Sequence, residues 1–270
     1  MRKDPDKKAG YAMIDYKLVM NTAILAGELM LCSGAETYRV EDTMTRILST
    51  ADKETVEASV MMTGIVATLG GPDMEPITVN KRVQERGTNL NSIMEVNEIS
   101  REYCAGELPL EEAYNRLKKI GRKQYSNWLF NLAVVIVSAG FAPLFGGGLT
   151  EMAAAVVTGS VLALVLTMGK KLQINGFILN LMSSFAVAVA SILLKQIIPV
   201  IDDNVITMSS IMPLVPGVAI TNAVRDTLLG DYISGAARIL EAFLIAAAVA
   251  LGVGTGMTLM GAFFQGGGLL

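Results

Sequence analysis

Apolar and polar positions divide this chain into two parts with different patterning. Before residue 125, apolar residues recur at helical or alternating spacing among many charges. After it they form continuous runs of roughly 20 residues, the length that crosses a bilayer as a helix. The predicted runs cover about 126–145, 149–169, 176–198, 205–224 and 236–262. The pattern therefore predicts a polar domain over 1–125 and a transmembrane domain over 126–270.

The spacing within the polar part predicts a small α+β domain in which helices flank a sheet. Helices are expected over 14–32, 35–50, 89–105 and 110–124. Thr55–Thr68 and Ile77–Gln84 carry the residues typical of strands, and Gly70-Gly71-Pro72 turns the chain between them. The predicted fold class is a polytopic α-helical membrane protein with about five transmembrane helices, preceded by this domain.

The loop charges predict an orientation. A basic cluster, Arg116 to Lys123, precedes the first run, and Lys170-Lys171 follows the second. The connections on the opposite side are neutral or carry Asp202-Asp203, and only Lys195 departs from the trend. By the positive-inside rule, the amino-terminal domain is cytoplasmic and the carboxyl terminus lies outside. No signal peptide is predicted, because no apolar segment follows the first charged residues.

The amino-acid composition argues against several classes of function. Histidine is absent, which excludes histidine triads and histidine metal sites, and no P-loop motif occurs. Cys32 and Cys104 form no CxxC pair and are expected to be free thiols. A net charge of −3 with no basic face gives no reason to expect a nucleic-acid partner. No cofactor and no metal are predicted.

The fourth run carries the sharpest signal. Pro213, Pro216 and Gly217 fall within five residues, a spacing that breaks a helix. Transporters use such broken helices to aim bare backbone groups at a substrate. A simple kink in a packed helix is an equally good interpretation. Polar residues on both sides of the break, including Ser209, Ser210, Thr221 and Asn222, favour the functional one.

Charges that remain beside the apolar runs are candidate transport residues. Arg225 ends the fourth run, and Arg238 and Glu241 lie one turn apart in the fifth. We expect this cluster either to gate the cytoplasmic mouth or to bind a substrate carboxylate through its arginines, and Glu241 to be the proton-coupling carboxylate. A network that anchors helix ends is the alternative, and it is favoured for Asp226 and Asp231.

Three other groups of polar residues are weaker candidates. Asn180, Ser183 and Ser184 share a face of the third run and either line a polar path or bond between helices. Glu151 begins the second run and is expected to stabilise its amino terminus. A further group at a helix start is expected to cap it or to dock another element, rather than to hydrolyse a substrate. That group consists of Glu36, Arg39, Glu41 and Asp42.

Three segments resemble the amino-terminal half of the threonine/serine exporter family: GAETYRVEDTMTRI at 34–47, VNEISR at 96–101 and PLVPGVAITNAVRDTLLGDYISGAARILEA at 213–242. The resemblance implies a non-enzymatic secondary exporter of the bacterial or archaeal inner membrane, driven by the proton gradient. It also implies that the chain is the larger subunit of a split exporter whose partner is a small hydrophobic protein of four or five spans.

The resemblance leaves the substrate open. Threonine or serine is the first candidate for the small carboxylate substrate, and succinate, a dicarboxylate, is the second because related split systems are associated with its export. The alternative from another class is a cytoplasmic enzyme or regulator that the spans anchor in the lipid bilayer. A pure anchor needs neither a broken span nor an intramembrane carboxylate.

Overall fold

The computed structural model of the chain describes residues 15–84, 87–121 and 125–266, with side chains through 264. The described residues belong to two units. The first comprises those within Met1–Arg122 together with Thr221–Ala237. The second comprises those within Lys123–Ile220 together with Arg238–Leu270. The segment 221–237 thus belongs to the first unit, although the sequence assigns it to the transmembrane domain.

Helices of the first unit begin and end close to the predicted positions. They are α1 Tyr16–Cys32, α2 Thr37–Ser49, α3 Leu90–Cys104 and α4 Leu110–Lys119, followed later in the chain by the end of α9 Gly217–Leu228 and the start of α10 Tyr232–Gly266. Local capping explains two starts: Oδ1 of Asp15 accepts the Leu18 N–H at 3.0 Å, and Oδ1 of Asn89 accepts that of Ser92 at 3.2 Å. Ile14 and the predicted end of α4 at 122–124 lie outside the described residues.

The sheet has three strands, whereas the sequence analysis predicted two. β1 Thr55–Met61 and β2 Gly64–Gly71 form a hairpin, and β2 pairs in turn with β3 Met74–Arg82, all antiparallel. The prediction of one strand over 55–68 is wrong because the chain reverses at Met62-Thr63. This two-residue turn has none of the glycine, proline or asparagine that marks such turns. Its residues prolong the strand-like composition on both sides.

One face of the sheet packs on the helices and forms the core of the first unit. Ile65, Ala67 and Leu69 of β2 are buried on this face, together with Met44 of α2. Gly27 of α1 permits the close approach, because a Cβ there would lie 2.4 Å from the Met44 sulfur. Neither Cys32 nor Cys104 belongs to a disulfide in the part of the chain that the structure describes, which agrees with the prediction.

The second unit consists of apolar helices whose bounds confirm the predicted runs within a few residues. They are α5 Asn127–Phe141, α6 Leu149–Lys171, α7 Gly176–Ile197, α8 Asp203–Ile211, the start of α9 and the remainder of α10. Four candidate spans are long and apolar enough to cross a membrane within the described residues, and α8 with α9 forms a bent pair that raises the number to five. The chain is therefore a mostly helical membrane protein. The carboxyl-terminal GGGLL lies almost wholly beyond the described residues.

Small residues allow α7 and α10 to approach closely. A Cβ on Gly252 of α10 would lie 2.0 Å from Oγ of Ser184 and 2.3 Å from the Leu181 carbonyl oxygen. One turn later, a Cβ on Gly256 would lie 3.0 Å from the Ala188 Cβ. Close contact between small residues is a common way for helices to associate in lipid. Oγ of Ser184 itself donates to the Asn180 and Leu181 carbonyl oxygens of its own helix, at 2.9 and 3.1 Å, so the contact with α10 is one of packing.

We expect Gly252→Ala to destabilise the second unit. A carbonyl oxygen cannot move away from the new methyl group without displacing α7, so overpacking should cost roughly 1–3 kcal/mol. Gly254→Ala is the matched control, since a Cβ there meets nothing within 4 Å. The midpoint of thermal unfolding in detergent measures both effects. Equal midpoints for the two variants would contradict the close α7–α10 packing.

Candidate functional site

The fourth apolar run is broken, as its prolines and glycine predict. α8 ends at Ile211, a 3₁₀ turn occupies Met212–Leu214, and α9 begins at Gly217. The two helical pieces meet at 56°, which makes the pair either a broken span or a re-entrant loop. Val215 has an extended backbone between them, so the segment is an interruption rather than a kink in a continuous helix. Pro213 and Pro216 are half-buried and Gly217 is exposed.

Buried hydroxyl groups surround the helix that leads into this break. Oγ1 of Thr158 on α6 and Oγ of Ser210 on α8 lie 2.6 Å apart, and Ser138 of α5 donates a long bond of 3.5 Å to the Ser210 carbonyl oxygen. All three residues are fully buried. The sequence analysis missed Ser138 and Thr158. The available signal was a hydroxyl residue inside an apolar run, which is too common to single out a site.

Two further hydroxyl groups in the second unit lack hydrogen-bond partners among the described residues. They are Oγ of Ser183 on α7 and Oγ1 of Thr207 on α8, both in buried residues. An unsatisfied buried hydroxyl is costly. Ser183 therefore stays a candidate for a polar path, whereas Asn180, one turn earlier, is half-buried.

Within the first unit, α9 contacts the loop and helix start at 34–37. Nδ2 of Asn222 donates to the Gly34 carbonyl oxygen at 2.8 Å. Oγ1 of Thr37 donates to Oδ1 of Asp226 at 3.0 Å, and the Thr37 N–H donates to the same oxygen at 3.3 Å. Two of the segments on which the family resemblance rests, distant in sequence, thus meet in space.

An ion pair between α2 and α9 lies in the same contact. Nη1 of Arg225 donates to Oε1 of Glu36, while Nη1 of Arg39 donates to Oε2 of Glu36 at 3.3 Å. The Glu36 side chain is 8% exposed, and those of Arg39 and Arg225 are 39% and 49% exposed. The expected capping role is wrong for Glu36, whose side chain makes no cap hydrogen bond, because both oxygens are occupied by guanidinium groups. Its contact with α9 fits the docking alternative.

Glu41 lies one turn further along α2 and has a perturbed acidity. Its Oε1 accepts the Val60 N–H at 2.8 Å. Burial raises the pKa of Glu41 above its ordinary value of 4.5, and the charge of Asp231 raises it further, against the opposing effect of the Val60 bond. Asp231 itself directly precedes α10 and caps it, since its Oδ1 accepts the Ser234 N–H at 3.1 Å.

We expect Glu41→Gln to stabilise the chain at neutral pH. The folded state binds the Glu41 proton more tightly than the unfolded state does, so stability falls as the pH rises from 4.5 through the raised pKa. Glutamine keeps the acceptor for Val60 and removes the charge. The thermal midpoint should therefore exceed that of the wild type at about pH 8 and match it at about pH 4. Glu57→Gln, on the exposed face of β1, is the control and should show no such pH-dependent gain.

α10, which carries Arg238 and Glu241, begins earlier than the predicted run. The helix begins at Tyr232 rather than 236, so Glu241 lies nine residues from its start, about 14 Å along the axis. Arg238 is 7% exposed and Glu241 is half-buried. The helix starts earlier than the predicted run because the Asp231 side chain caps it. Their predicted roles in transport stay predictions.

Three charged side chains near the connections of the second unit, Glu151, Lys195 and Asp203, have partners in neighbouring residues. Oε2 of Glu151 accepts the Gly148 N–H at 2.7 Å, which confirms Glu151 as an acid that stabilises a helix amino terminus. Oε1 also accepts the Asp202 N–H at 3.3 Å. Nζ of Lys195 pairs with Asp203 at 2.5 Å, which neutralises the lysine that departs from the positive-inside trend. In the described ranges, no group of three or more Cys, Asp or Glu side chains is arranged to hold a metal.

Comparison with known proteins places these residues in a family context. A family model described as "Putative threonine/serine exporter" matches residues 21–260. The "Probable succinate transporter subunit YjjP" of Klebsiella aerogenes is 28% identical over 252 residues, which are 92% of this chain and 96% of that protein. The protein of the same name from Escherichia coli is 26% identical over 246 residues, 91% of this chain and 96% of that protein.

A longer relative is matched over only part of its length. The "Probable threonine/serine exporter" of Mycobacterium tuberculosis is 22% identical over 240 residues, which are 87% of this chain and 45% of that protein. No solved structure matches the chain.

Proposed function

Because this chain belongs to the threonine/serine exporter family, we propose that it is one subunit of a proton-coupled secondary exporter of a small carboxylate solute. The observation that carries the proposal is the family match over residues 21–260 together with the broken helix that it contains. Interrupted helices in transporters present unpaired backbone groups to a substrate. The chain acts as a transporter in this account and not as an enzyme.

Two substrate classes remain, each favoured by one comparison. Threonine or serine is the first, since the family description names them. A dicarboxylate such as succinate is the second, because the relatives named as succinate transporter subunits match this chain over 96% of their length. Both classes carry a carboxylate, which an arginine binds through a fork of two hydrogen bonds. Arg225 and Arg238 are the proposed partners of that group.

A second subunit completes the proposed exporter. The two relatives matched over nearly their whole length are named as subunits. The relative named as a threonine/serine exporter is about twice as long as the region that matches this chain. We therefore expect the partner to be a small hydrophobic protein with four or five spans, and a neighbouring gene for such a protein is the first thing to look for.

Efflux from cells tests this proposal. Cells lacking both genes should retain loaded threonine, serine or succinate, and export of one of them should return only when both genes are restored. Measuring the efflux of each solute in a separate experiment identifies the substrate class. Unchanged efflux of all three solutes in the double deletion and in the restored cells would contradict the proposed function.

The proposed orientation puts the amino terminus in the cytoplasm of an inner-membrane protein and the carboxyl terminus outside. The basic residues flank the cytoplasmic connections under this arrangement. We expect a carboxyl-terminal reporter that is active only outside the cytoplasm to give a signal, and a reporter fused after Lys171 to give none. A carboxyl-terminal reporter active only in the cytoplasm would refute the five-span arrangement.

A further inference from the structure

The carboxylate of Glu36 occupies a place between two arginines from distant parts of the chain. Arg39 lies one turn away on α2, and Arg225 lies 189 residues away on α9. Each guanidinium group binds one oxygen of Glu36 through Nη1. A carboxylate removed from water is costly unless it is paired, and these two contacts supply the pairing.

The two arginines are far more accessible than the glutamate they hold. Their side chains are 39% and 49% exposed, against 8% for Glu36. Each guanidinium has five N–H donors. Glu36 is the sole hydrogen-bond or ionic partner of the Arg39 and Arg225 side chains among the residues that the structure describes. Most of their N–H donors therefore make no hydrogen bond to the described residues, and the net charge of the three side chains is positive.

We propose that Arg39 and Arg225 form a binding site for the carboxylate of the exported solute, and that Glu36 is a tethered carboxylate that occupies this site until the solute replaces it. The proposal rests on the proposed function and adds to it a pair of residues, Glu36 and Arg39, that the transport path did not include. The ligand chemistry is a carboxylate held by guanidinium forks. Succinate can present one carboxylate to each arginine, whereas threonine presents a single carboxylate.

The neighbouring contacts link the position of α9 to whether Glu36 or the solute occupies the arginine site. The Asn222–Gly34 and Thr37–Asp226 bonds hold α9 beside the start of α2 in the state in which Glu36 is bound. When a solute takes the place of Glu36 on Arg225, one of the attachments between the two helices is lost. Glu36 then regains water as the helices separate, so no unpaired charge remains buried.

Binding to the purified full-length chain in detergent tests the site without any transport. Titration calorimetry is carried out with succinate, with threonine and with butane-1,4-diol, which lacks carboxylates. We expect one of the two carboxylates to bind and the diol not to bind. Arg225→Gln and Arg39→Gln should each raise the Kd about tenfold or more, since each removes charged hydrogen bonds to the solute carboxylate. Arg46→Gln is the matched control, because Arg46 lies on the same helix, also pairs with a carboxylate, and is predicted to leave the Kd unchanged.

The direction in which Glu36→Gln changes the Kd of the solute distinguishes a competing carboxylate from a static ion pair. Removing the tethered carboxylate should lower the Kd about tenfold, because the solute no longer competes with it. The exchanged pair Glu36→Arg with Arg225→Glu is the second arm: it restores an ion pair, so the thermal midpoint should stay near that of the wild type while binding is lost. A Kd for Glu36→Gln equal to or above that of the wild type overturns the proposal, as does binding restored by the exchanged pair.

The binding assay tests the site and the efflux assay tests the exporter, so a negative result in one does not imply a negative result in the other. Binding with the expected variant pattern but without efflux would leave the site in place and contradict the exporter. Efflux that persists while Arg225→Gln binds the solute normally would leave the exporter in place and contradict the site.

Discussion

Gly217→Leu is expected to abolish efflux while the protein still folds and inserts. Gly217 is the first residue of α9 and follows the extended backbone at Val215. A Cβ there meets nothing within 4 Å and the residue is exposed, so the protein is expected to fold with a larger side chain at this position. It would, however, fill the space beside the interruption, where the backbone is proposed to face the solute. The measurement is the efflux rate at matched membrane expression, with the thermal midpoint as the check on folding.

Gly176→Leu is the matched control for this prediction. Gly176 is also the first residue of an apolar helix, α7, is also exposed, and its Cβ would also meet nothing within 4 Å. It lies at no interruption of a span. We expect it to retain the wild-type rate. Normal efflux by Gly217→Leu would reduce the break to a passive bend.

Glu241→Gln is expected to separate solute exchange from the proton gradient. The carboxamide reproduces the protonated side chain with almost no change in volume. A transport path that requires only protonated Glu241 therefore stays open. Solute exchange at equal pH should continue near the wild-type rate. Net efflux driven by a pH gradient should fall about tenfold or more, because the group that changes charge during the cycle is gone.

Glu151→Gln is the control for this variant, since Glu151 is another glutamate of the apolar helices and its carboxylate is engaged at the start of α6. Its pH response should survive. If efflux driven by the pH gradient continues at the wild-type rate in Glu241→Gln, Glu241 is structural and the coupling group lies elsewhere, including on the partner subunit.

The sequence predicts the apolar helices well because their physical signal is strong and local. A run of apolar residues must satisfy its backbone as a helix in lipid, so its ends follow the charges and glycines that flank it. The interruption at Pro213, Pro216 and Gly217 is likewise local, since proline removes a donor and clashes with the preceding turn. Both features were therefore predicted within a few residues.

Features that depend on distant contacts escaped the sequence analysis. The turn at Met62-Thr63 has no special residue, and only the pairing of β1 with β2 reveals it. Glu36 and Arg225 lie 189 residues apart, and neither the spacing nor the composition of the chain joins them. The assignment of segment 221–237 to the first unit also follows from such contacts, because the sequence alone predicts only the end of the fourth run, a connection and the start of the fifth run there.

Reconstitution of efflux in vesicles tests the central claim most directly. The chain and its expected partner are placed together in vesicles loaded with labelled threonine, serine or succinate, and loss of label is followed after a pH gradient is imposed. The account predicts rapid, gradient-dependent efflux of at least one of these carboxylates when both subunits are present, and none from vesicles that contain either subunit alone. Full efflux from the chain alone, or no efflux of any of the three with both subunits, would contradict it.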